Sequence, residues 1–460
     1  MGSFLSLPLS KSHGKLDTVA ASNPEACKRL KMSSVYISEN SRIIPSLPDE
    51  ISLQILARMP RFCYMGLKLV SHSWNAAITG AELFQLRKEL GTTEEWLYML
   101  TKVEEDKLLW LALDPLTRKW QRLPFMPELI REEESKRGLS RFLMWNVMGS
   151  SIKIADVIRG WLGQKDTLER MPFCGCAIGA VDGCLYVLGG LSGSYATRRV
   201  WRFDPIVNKW QEVSSMSTGR AFCKTSLLNN KLYVVGGVSK GRGGLTPLQT
   251  AEVYDPETDI WADVPSMPFS KAQALPTAFL AELLKPIATG MTSYRGQLCV
   301  PQSLYSWPFF VDVGGEIYDP MTDSWADMPA GMGDGWPARQ AGTKLSVVVN
   351  GQLYALEPSS SLDSGKIKIY DPQEDAWKVC IGRVPVHDFT DSESPYLLAG
   401  IFGKLHVITK VTDNEIAVLQ ADLDMRSSSS SEADITEVWK TIASKNLGAA
   451  ELVSCQVLNI

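Results

Sequence analysis

The chain has 460 residues, is 45% hydrophobic, and carries 47 Lys and Arg against 51 Asp and Glu, a formal charge of -4. It is long enough to bury a large core, and its 35 glycines and 25 prolines favour many short elements over a few long helices. The charge balance excludes a global field for nucleic acid or an anionic membrane, and charge or glycine breaks every apolar run well short of the about 18 residues a transmembrane helix needs.

Nine cysteines, an odd number in a long chain without an evident secretory leader, predict free thiols and a reducing, intracellular setting in the nucleus, the cytoplasm or both. Cys174 and Cys176 come nearest to a metal or redox pair, but their spacing is C-x-C and only His13, His72, His387 and His406 could assist. Buried thiols are therefore favoured over zinc, and no cofactor is expected.

In chain order, residues 1–42 are rich in Ser, Lys, Asn and Ala without periodicity and predict a disordered leader. Met1-Gly2 with Ser6 satisfies the loose myristoylation pattern, which alone gives weak, reversible attachment. Lys28, Arg29 and Lys31 form a small basic cluster that reads as a solvated tail before an import signal.

The pattern changes at IIPSLPDEISLQILARMP, which predicts a helical module over 43–88. Pro48 suits a first helical turn, Asp49 and Glu50 suit its positive end, Ile51, Ile55, Leu56 and Met59 recur at helical spacing, and Pro60 stops the helix. Leu67, Val70, Trp74, Ala77 and Ile78 form a second apolar set, with Leu83, Phe84 and Leu86 as a short continuation. So small a module is marginal alone. Leu47, Pro48, Ile51, Ile55 and Leu56 together exceed what one three-turn helix needs for a miniature core, so part of this surface calls for a partner.

From residue 94 to 460 the pattern is short strands carrying an Asp-Pro pair with a Trp six residues after the Asp: Asp114/Trp120, Asp204/Trp210, Asp255/Trp261, Asp319/Trp325 and Asp371/Trp377. A fixed local offset with variable spacing marks a repeated unit joined by unequal loops. The clearest copy predicts strands around Cys223–Leu228, Leu232–Val235, Ala251–Tyr254 and Trp261, with Asn229-Asn230 as a hairpin turn and Gly236-Gly237 ending the second strand. Asp182-Gly183 and Gly189-Gly190 repeat the design one unit earlier, and the later copies erode. Counting gives six blades, the sixth built around Trp439. The first lacks an innermost strand before Trp96, and ELVSCQVLNI at the far end is the apolar, β-prone segment expected to close the ring. The predicted fold is mainly β, a six-bladed propeller behind a small all-helical module, with the five repeated Trp residues structural.

The paired glycines, the aromatic before Asp-Pro and the Trp six beyond the Asp resemble kelch repeats. LPDEISLQILARMP followed by LKLVSHSWNAAI resembles an F-box, and the two together resemble the plant F-box proteins with C-terminal kelch repeats. The resemblance implies an adaptor surface for a small Skp-family protein, and through it a cullin, made by Leu47, Pro48, Ile51, Ile55 and Leu56 with Leu67, Val70 and Trp74 supporting or extending it. It also implies a propeller that presents a target protein to a ubiquitin ligase without catalysing anything itself. RFCYMGLK, an unusually aromatic connection, departs from the family.

The target is unreadable in the sequence, but loops are where specificity varies. Tyr305, Trp307, Phe309 and Phe310 crowd a loop position, where they either anchor a partner or fold onto their own blade. Arg220 and Arg339 precede first strands, where they either line one mouth of the channel or bridge blades. Neither converging carboxylates nor an oriented His is visible, which sets an enzyme aside. A non-ligase kelch scaffold is the alternative if the Leu47 to Leu56 surface proves internal.

Overall fold

Pro48 opens helix α1, Asp49–Ala57, with Asp49 and Glu50 in its first turn. This computed structural model describes residues 42–103, 107–127, 175–192, 195–241, 244–269, 286–306, 309–336, 345–357, 365–385, 396–412, 414–422, 438–448 and 450–460. The predicted leader, with Gly2 and the basic cluster, lies outside them, as do Cys174, Trp307, Arg339 and the run Ser427 to Ser431.

After Pro60 come a 3-10 turn over Arg61–Cys63, α2 at Tyr64–Leu67, α3 at His72–Thr79 and α4 at Ala81–Leu90. Two expectations change here. Leu67 and Val70 do not share a helix with Trp74, because Ser71 starts a new one by accepting the Trp74 amide on its Oγ at 3.1 Å. Leu83, Phe84 and Leu86 belong to a full helix, set off by extended backbone at Gly80 (ψ 146) and ended by Gly91 at φ 64. Leu53, Leu56, Ala57, Tyr64, Ile78 and Leu83 form the module's core.

Among the described residues, six antiparallel sheets form the blades of a ring, and two further two-stranded sheets are the hairpins that pair Leu191 with Ala196 and Val238 with Pro247. Blade 2 is Ala177–Val181, Cys184–Leu188, Val200–Asp204 and Lys209–Val213, and blade 3 is Lys224–Leu228, Lys231–Val235, Ala251–Asp255 and Ile260–Val264. Blade 4 joins Ile287–Ala288 and Thr292–Tyr294 to Gln297–Ser306, Phe309–Asp319 and Ser324–Asp327. Blade 5 runs from Ser346–Val349 to Ala376–Ile381, and blade 6 from Tyr396–Ile401 to Trp439–Asn446. Six apolar clusters fill the six blade-to-blade interfaces, one of them packing Leu97 and Leu113 of blade 1 against Leu397 and Ile408 of blade 6.

Ring closure follows the expected route. Glu451–Asn459 pairs antiparallel with Glu95–Val103, Trp96 facing Leu458 and Leu100 facing Ser454, so the last strand is the innermost strand of blade 1. Glu94 and Ile460 extend this ladder by exchanging both backbone hydrogen bonds at 2.8 and 2.9 Å.

The repeated Asp and Trp each have a physical task. Asp204, Asp255, Asp319 and Asp371 accept the amide two residues ahead on Oδ1 at 2.8–3.0 Å, closing the turn between the third and fourth strands, and Asp114 does the same at 2.9 Å. Four residues after each Asp the backbone turns left-handed, at Arg118, Asn208, Asp259, Asp323 and Asp375. This turn returns the chain so that the Trp indole reaches the neighbouring blade. Trp210 donates Nε1–H to Pro124 O, Trp261 to Ser214 O, Trp325 to Pro265 O, Trp377 to Met332 O and Trp439 to Arg383 O, at 2.6–3.2 Å. Each Trp is half-buried and latches its blade to the preceding one.

Blade 4 departs from the expected loop. Gly236 and Gly237 break blade 3 at φ 60 and 82, whereas Cys299, Val300 and Pro301 stay extended, so the ladder runs on as one long hairpin. Its register shifts between Pro301 and Ser303. Gly314-Gly315 sits inside the third strand, and a Cβ at Gly315 would lie 2.4 Å from Val300 O.

Candidate functional site

Two surfaces carry the predicted residues, and strand direction places them at opposite ends of the propeller. In each blade the turns between strands one and two and between strands three and four share one end, while the connection between strands two and three lies at the other. The helical module packs on the first end, against both turns of blade 2 and against blade 1, where Lys119 lies 5.9 Å from the Phe62 ring centroid. Lys88 Nζ bonds Asp182 Oδ1, the Phe84 ring packs on Gly183, Arg61 Nη2 donates to Pro205 O at 2.6 Å and Lys68 Nζ donates to Ile206 O at 2.8 Å. Hairpins 191–196 and 238–247 and the long hairpin of blade 4 therefore lie on the far end.

On the helical module the predicted adaptor residues separate into two groups. Pro48, Ile51, Ile55 and Val70 are exposed, Ile51 at 43%, Ile55 at 41% and Val70 at 59%, and Leu47 is half-buried. Ile51 and Ile55 stand one turn apart on α1, so they share a face with Pro48. Leu56 is completely buried, which moves it from the predicted contact surface into the module's own core. The reason is angular: one residue beyond Ile55 on a helix turns the side chain about 100° toward α4. Leu67 and Trp74 pack against the same core, and Trp74 Nε1 donates to Ile43 O at 2.6 Å, so they support the surface from behind. Phe62, Met65 and Leu69 are exposed apolar residues that periodicity did not pick out, because they lie on the irregular connection between α1 and α3.

This connection, RFCYMGLK, fastens the two domains. Tyr64 buries its ring in the module's core, donates its hydroxyl to Leu56 O at 2.7 Å and accepts from Arg87 Nη1 at 2.8 Å. Arg87, wholly buried, pairs with Glu94 at 3.1 Å, and Glu94 also accepts the Arg61 amide at 2.8 Å and the Trp96 indole at 3.2 Å. A buried Arg inside an amphipathic helix pattern reads as solvent-facing, which is why the sequence did not disclose it.

At the far end the predicted residues fare differently. Arg220 is fully buried and pairs with Glu252 at 2.8 Å, donating also to Gly236 O at 3.1 Å and Thr250 O at 2.7 Å. Its donors are spent inside blade 3, and its backbone bonds Gly190 and Thr197 of blade 2. Of the two readings open for Arg220, its contacts fit the one that joins blades, through its backbone, while its ion pair stays within blade 3 and its burial removes it from the channel mouth. Tyr305 and Phe310 face each other across the long hairpin, as do Ser306 and Phe309, so these residues lie on paired strands where a loop was expected. Trp307 and Arg339 lie outside the described residues.

The innermost strands are stitched around the axis. Thr225 Oγ1 and Gln456 Nε2 both donate to Ile178 O at 2.7 and 2.8 Å, the Ser293 amide donates to Ser226 Oγ at 3.0 Å, and Thr292 and Ser346 share a 2.7 Å hydroxyl bond. Lys224, at the head of the blade 3 inner strand, is pulled down to about 8 by burial. Burial pushes Cys184 and Cys299 up to about 12 and Cys223 to about 11, so they are protonated core thiols at neutral pH. Among the described residues no group of three or more His, Cys, Asp or Glu is placed to hold a metal, and no helix is long and apolar enough to cross a membrane.

The F-box domain family matches residues 44–86, and the Kelch motif family matches residues 172–217 and 219–268. The F-box/kelch-repeat protein At1g22040 of Arabidopsis thaliana is 61% identical over 100% of both chains. The F-box/kelch-repeat protein At1g16250 of the same organism is 27% identical over 75% of each chain, and SKIP30, also an F-box/kelch-repeat protein from it, is 29% identical over 49% of this chain and 55% of its own.

Proposed function

Starting from the fact that this chain belongs to the plant F-box/kelch-repeat proteins, we propose that it is the substrate-recognition subunit of a cullin-based, SCF-type ubiquitin ligase. In this reading residues 43–88 bind a Skp-family adaptor, and through it a cullin, while the propeller of residues 94–460 holds a target protein. The protein performs no bond chemistry. It raises the effective concentration of a target lysine near a ubiquitin-charged enzyme that other subunits supply.

The observation that carries the reading is the exposed apolar face of Pro48, Ile51 and Ile55 on α1, with Val70 also exposed on the same module, on the end of the molecule opposite the long hairpins. Apolar side chains grouped on a module with a completed core of its own mark an interface. That exposure also tells against the scaffold alternative, which needs the same surface to be internal. The hairpins of blades 2, 3 and 4, including Tyr305, Phe309 and Phe310, are the proposed target side. Residence in the nucleus or the cytoplasm is compatible with this role.

Affinity capture from plant extract with wild-type protein beside a Leu47→Asp/Ile51→Asp variant tests the reading. Wild type should recover the adaptor and a cullin, and the variant should lose both while keeping propeller partners. Equal recovery of adaptor by the two proteins would remove the F-box assignment.

A further inference from the structure

We propose that Arg61 and Lys68 are positioning residues that clamp the F-box onto blade 2, so that the adaptor face and the far loop face move as one body. This deepens the ligase reading and depends on it for its functional meaning. Both side chains leave their own helical module and donate to consecutive carbonyls of one turn: Arg61 Nη2 to Pro205 O at 2.6 Å, and Lys68 Nζ to Ile206 O at 2.8 Å. The turn is itself held by Asp204, which accepts the Ile206 amide at 2.8 Å, so the acceptors are pre-oriented. Pro205 is buried, whereas the equivalent Pro115, Pro256, Pro320 and Pro372 of four other blades are only partly so. The buried proline is thus particular to the blade 2 turn that Arg61 and Lys68 hold.

The rest of the junction leaves no slack. Arg61 also donates its amide to Glu94 and lays its guanidinium 5.9 Å from the Trp96 ring centroid. Glu94 ties the buried Arg87 to the start of blade 1 and exchanges backbone bonds with Ile460, the last residue of the closing strand. Burial draws the Lys68 ammonium below its usual range, with the Arg61 charge adding to the effect, as expected of a cation seated in an interface. A flexible linker would need a run of unbonded Gly or Ser between the domains; here the exposed Gly91 donates its amide to Lys88 O at 3.2 Å, Thr92 is bonded to Arg87 O at 2.9 Å and to Ala57 O at 2.7 Å, and Glu94 is buried. Effective concentration depends on stiffness between two binding sites, so a clamped junction restricts which lysines of a bound target reach the charged enzyme.

The test uses the full chain with spin labels introduced as non-natural residues at Gln54 on α1 and Gln373 on blade 5, both exposed, and distances read by double electron–electron resonance. Wild type should give one narrow distance distribution, Arg61→Ala/Lys68→Ala a broad one, and Lys68→Arg, which keeps a donor, a narrow one. A double alanine variant that is folded and as narrow as wild type overturns the clamp. If that variant loses its strand spectrum, Lys68→Met alone takes its place, and an unbroadened distribution there overturns the clamp equally. A second arm, self-ubiquitylation in a reconstituted adaptor and cullin complex, should spread to more propeller lysines in the double variant with adaptor affinity unchanged, and an identical lysine set overturns the positioning role. Distances that behave as stated in a protein that fails to bind adaptor would keep the clamp and remove the ligase reading.

Discussion

Trp120 donates its indole N–H to the carbonyl of Ser444 at 3.1 Å, across 324 positions of sequence. It is the same latch that Trp261 makes to Ser214 only 47 positions away, so the first blade treats the sixth as its predecessor and the repeat closes on itself. A property of each unit thereby becomes a property of the ring.

The latch predicts a graded response at Trp261. Trp261→Phe keeps a ring against Tyr254, whose centroid is 5.0 Å away, and loses the bond to Ser214, at a cost of about 1 kcal/mol. Trp261→Ala loses ring and bond, at about 3 kcal/mol. Urea unfolding distinguishes the two steps, and wild-type stability in both variants would mean that the Trp is a surface contact.

Deleting residues 451–460 removes the innermost strand of blade 1 and exposes the edge of Glu95–Val103, so aggregation or a large loss of stability should follow where trimming a terminus is ordinarily mild. Because Ile460 also pairs with Glu94, the deletion should loosen the F-box from the propeller as well. In the intact protein, amides Val453–Val457 should exchange as slowly as the central strands, and fast exchange there would contradict closure.

Arg220→Ala should cost about 3–5 kcal/mol, because it strands Glu252 uncompensated in the interior, while Arg220→Met with Glu252→Leu should recover most of the loss. A loss of partner binding at full stability would instead return Arg220 to the target surface. Thermal unfolding of the two variants decides.

His406 predicts a pH dependence. It is buried, its Nδ1–H donates to Lys404 O at 3.0 Å, and burial lowers it from 6.5 to about 4. The folded state therefore binds the proton later than the unfolded one. The contribution is complete above pH 6.5 and declines as pH falls from 6.5 toward 4, by up to about 3 kcal/mol. His406→Gln should flatten the stability profile over that interval, and an unchanged slope would mean that another group carries it.

Much of this was legible because repeats write the same physics several times. The Asp-to-Trp spacing is set by a turn whose fifth residue is left-handed, and the unpaired ELVSCQVLNI matched the blade that lacked a strand. What stayed hidden depends on contacts between distant segments. Periodicity could assign Leu56 to an apolar stripe but not say that α4 covers it while Ile55 stays bare. The choice between a channel-lining and a bridging Arg220 stays open in the sequence because its acceptors, Glu252, Gly236 and Thr250, are not local to it. The hairpin of blade 4 reads as a loop in the sequence because its missing glycines resemble erosion, whereas their absence lets the strands continue. RFCYMGLK departs from a helical pattern because it answers to blade 2.

The most direct test of the account is calorimetric titration of a purified Skp-family adaptor into wild type and into Ile51→Asp/Ile55→Asp, with Leu56→Asp as a control that should unfold the helical module. The exposed pair should tolerate Asp without change in thermal unfolding, yet binding should weaken about a hundredfold or more, since each carboxylate would be forced unpaired into an apolar interface. Equal affinity of the folded double variant and wild type would contradict the assignment of this face, and with it the proposed role.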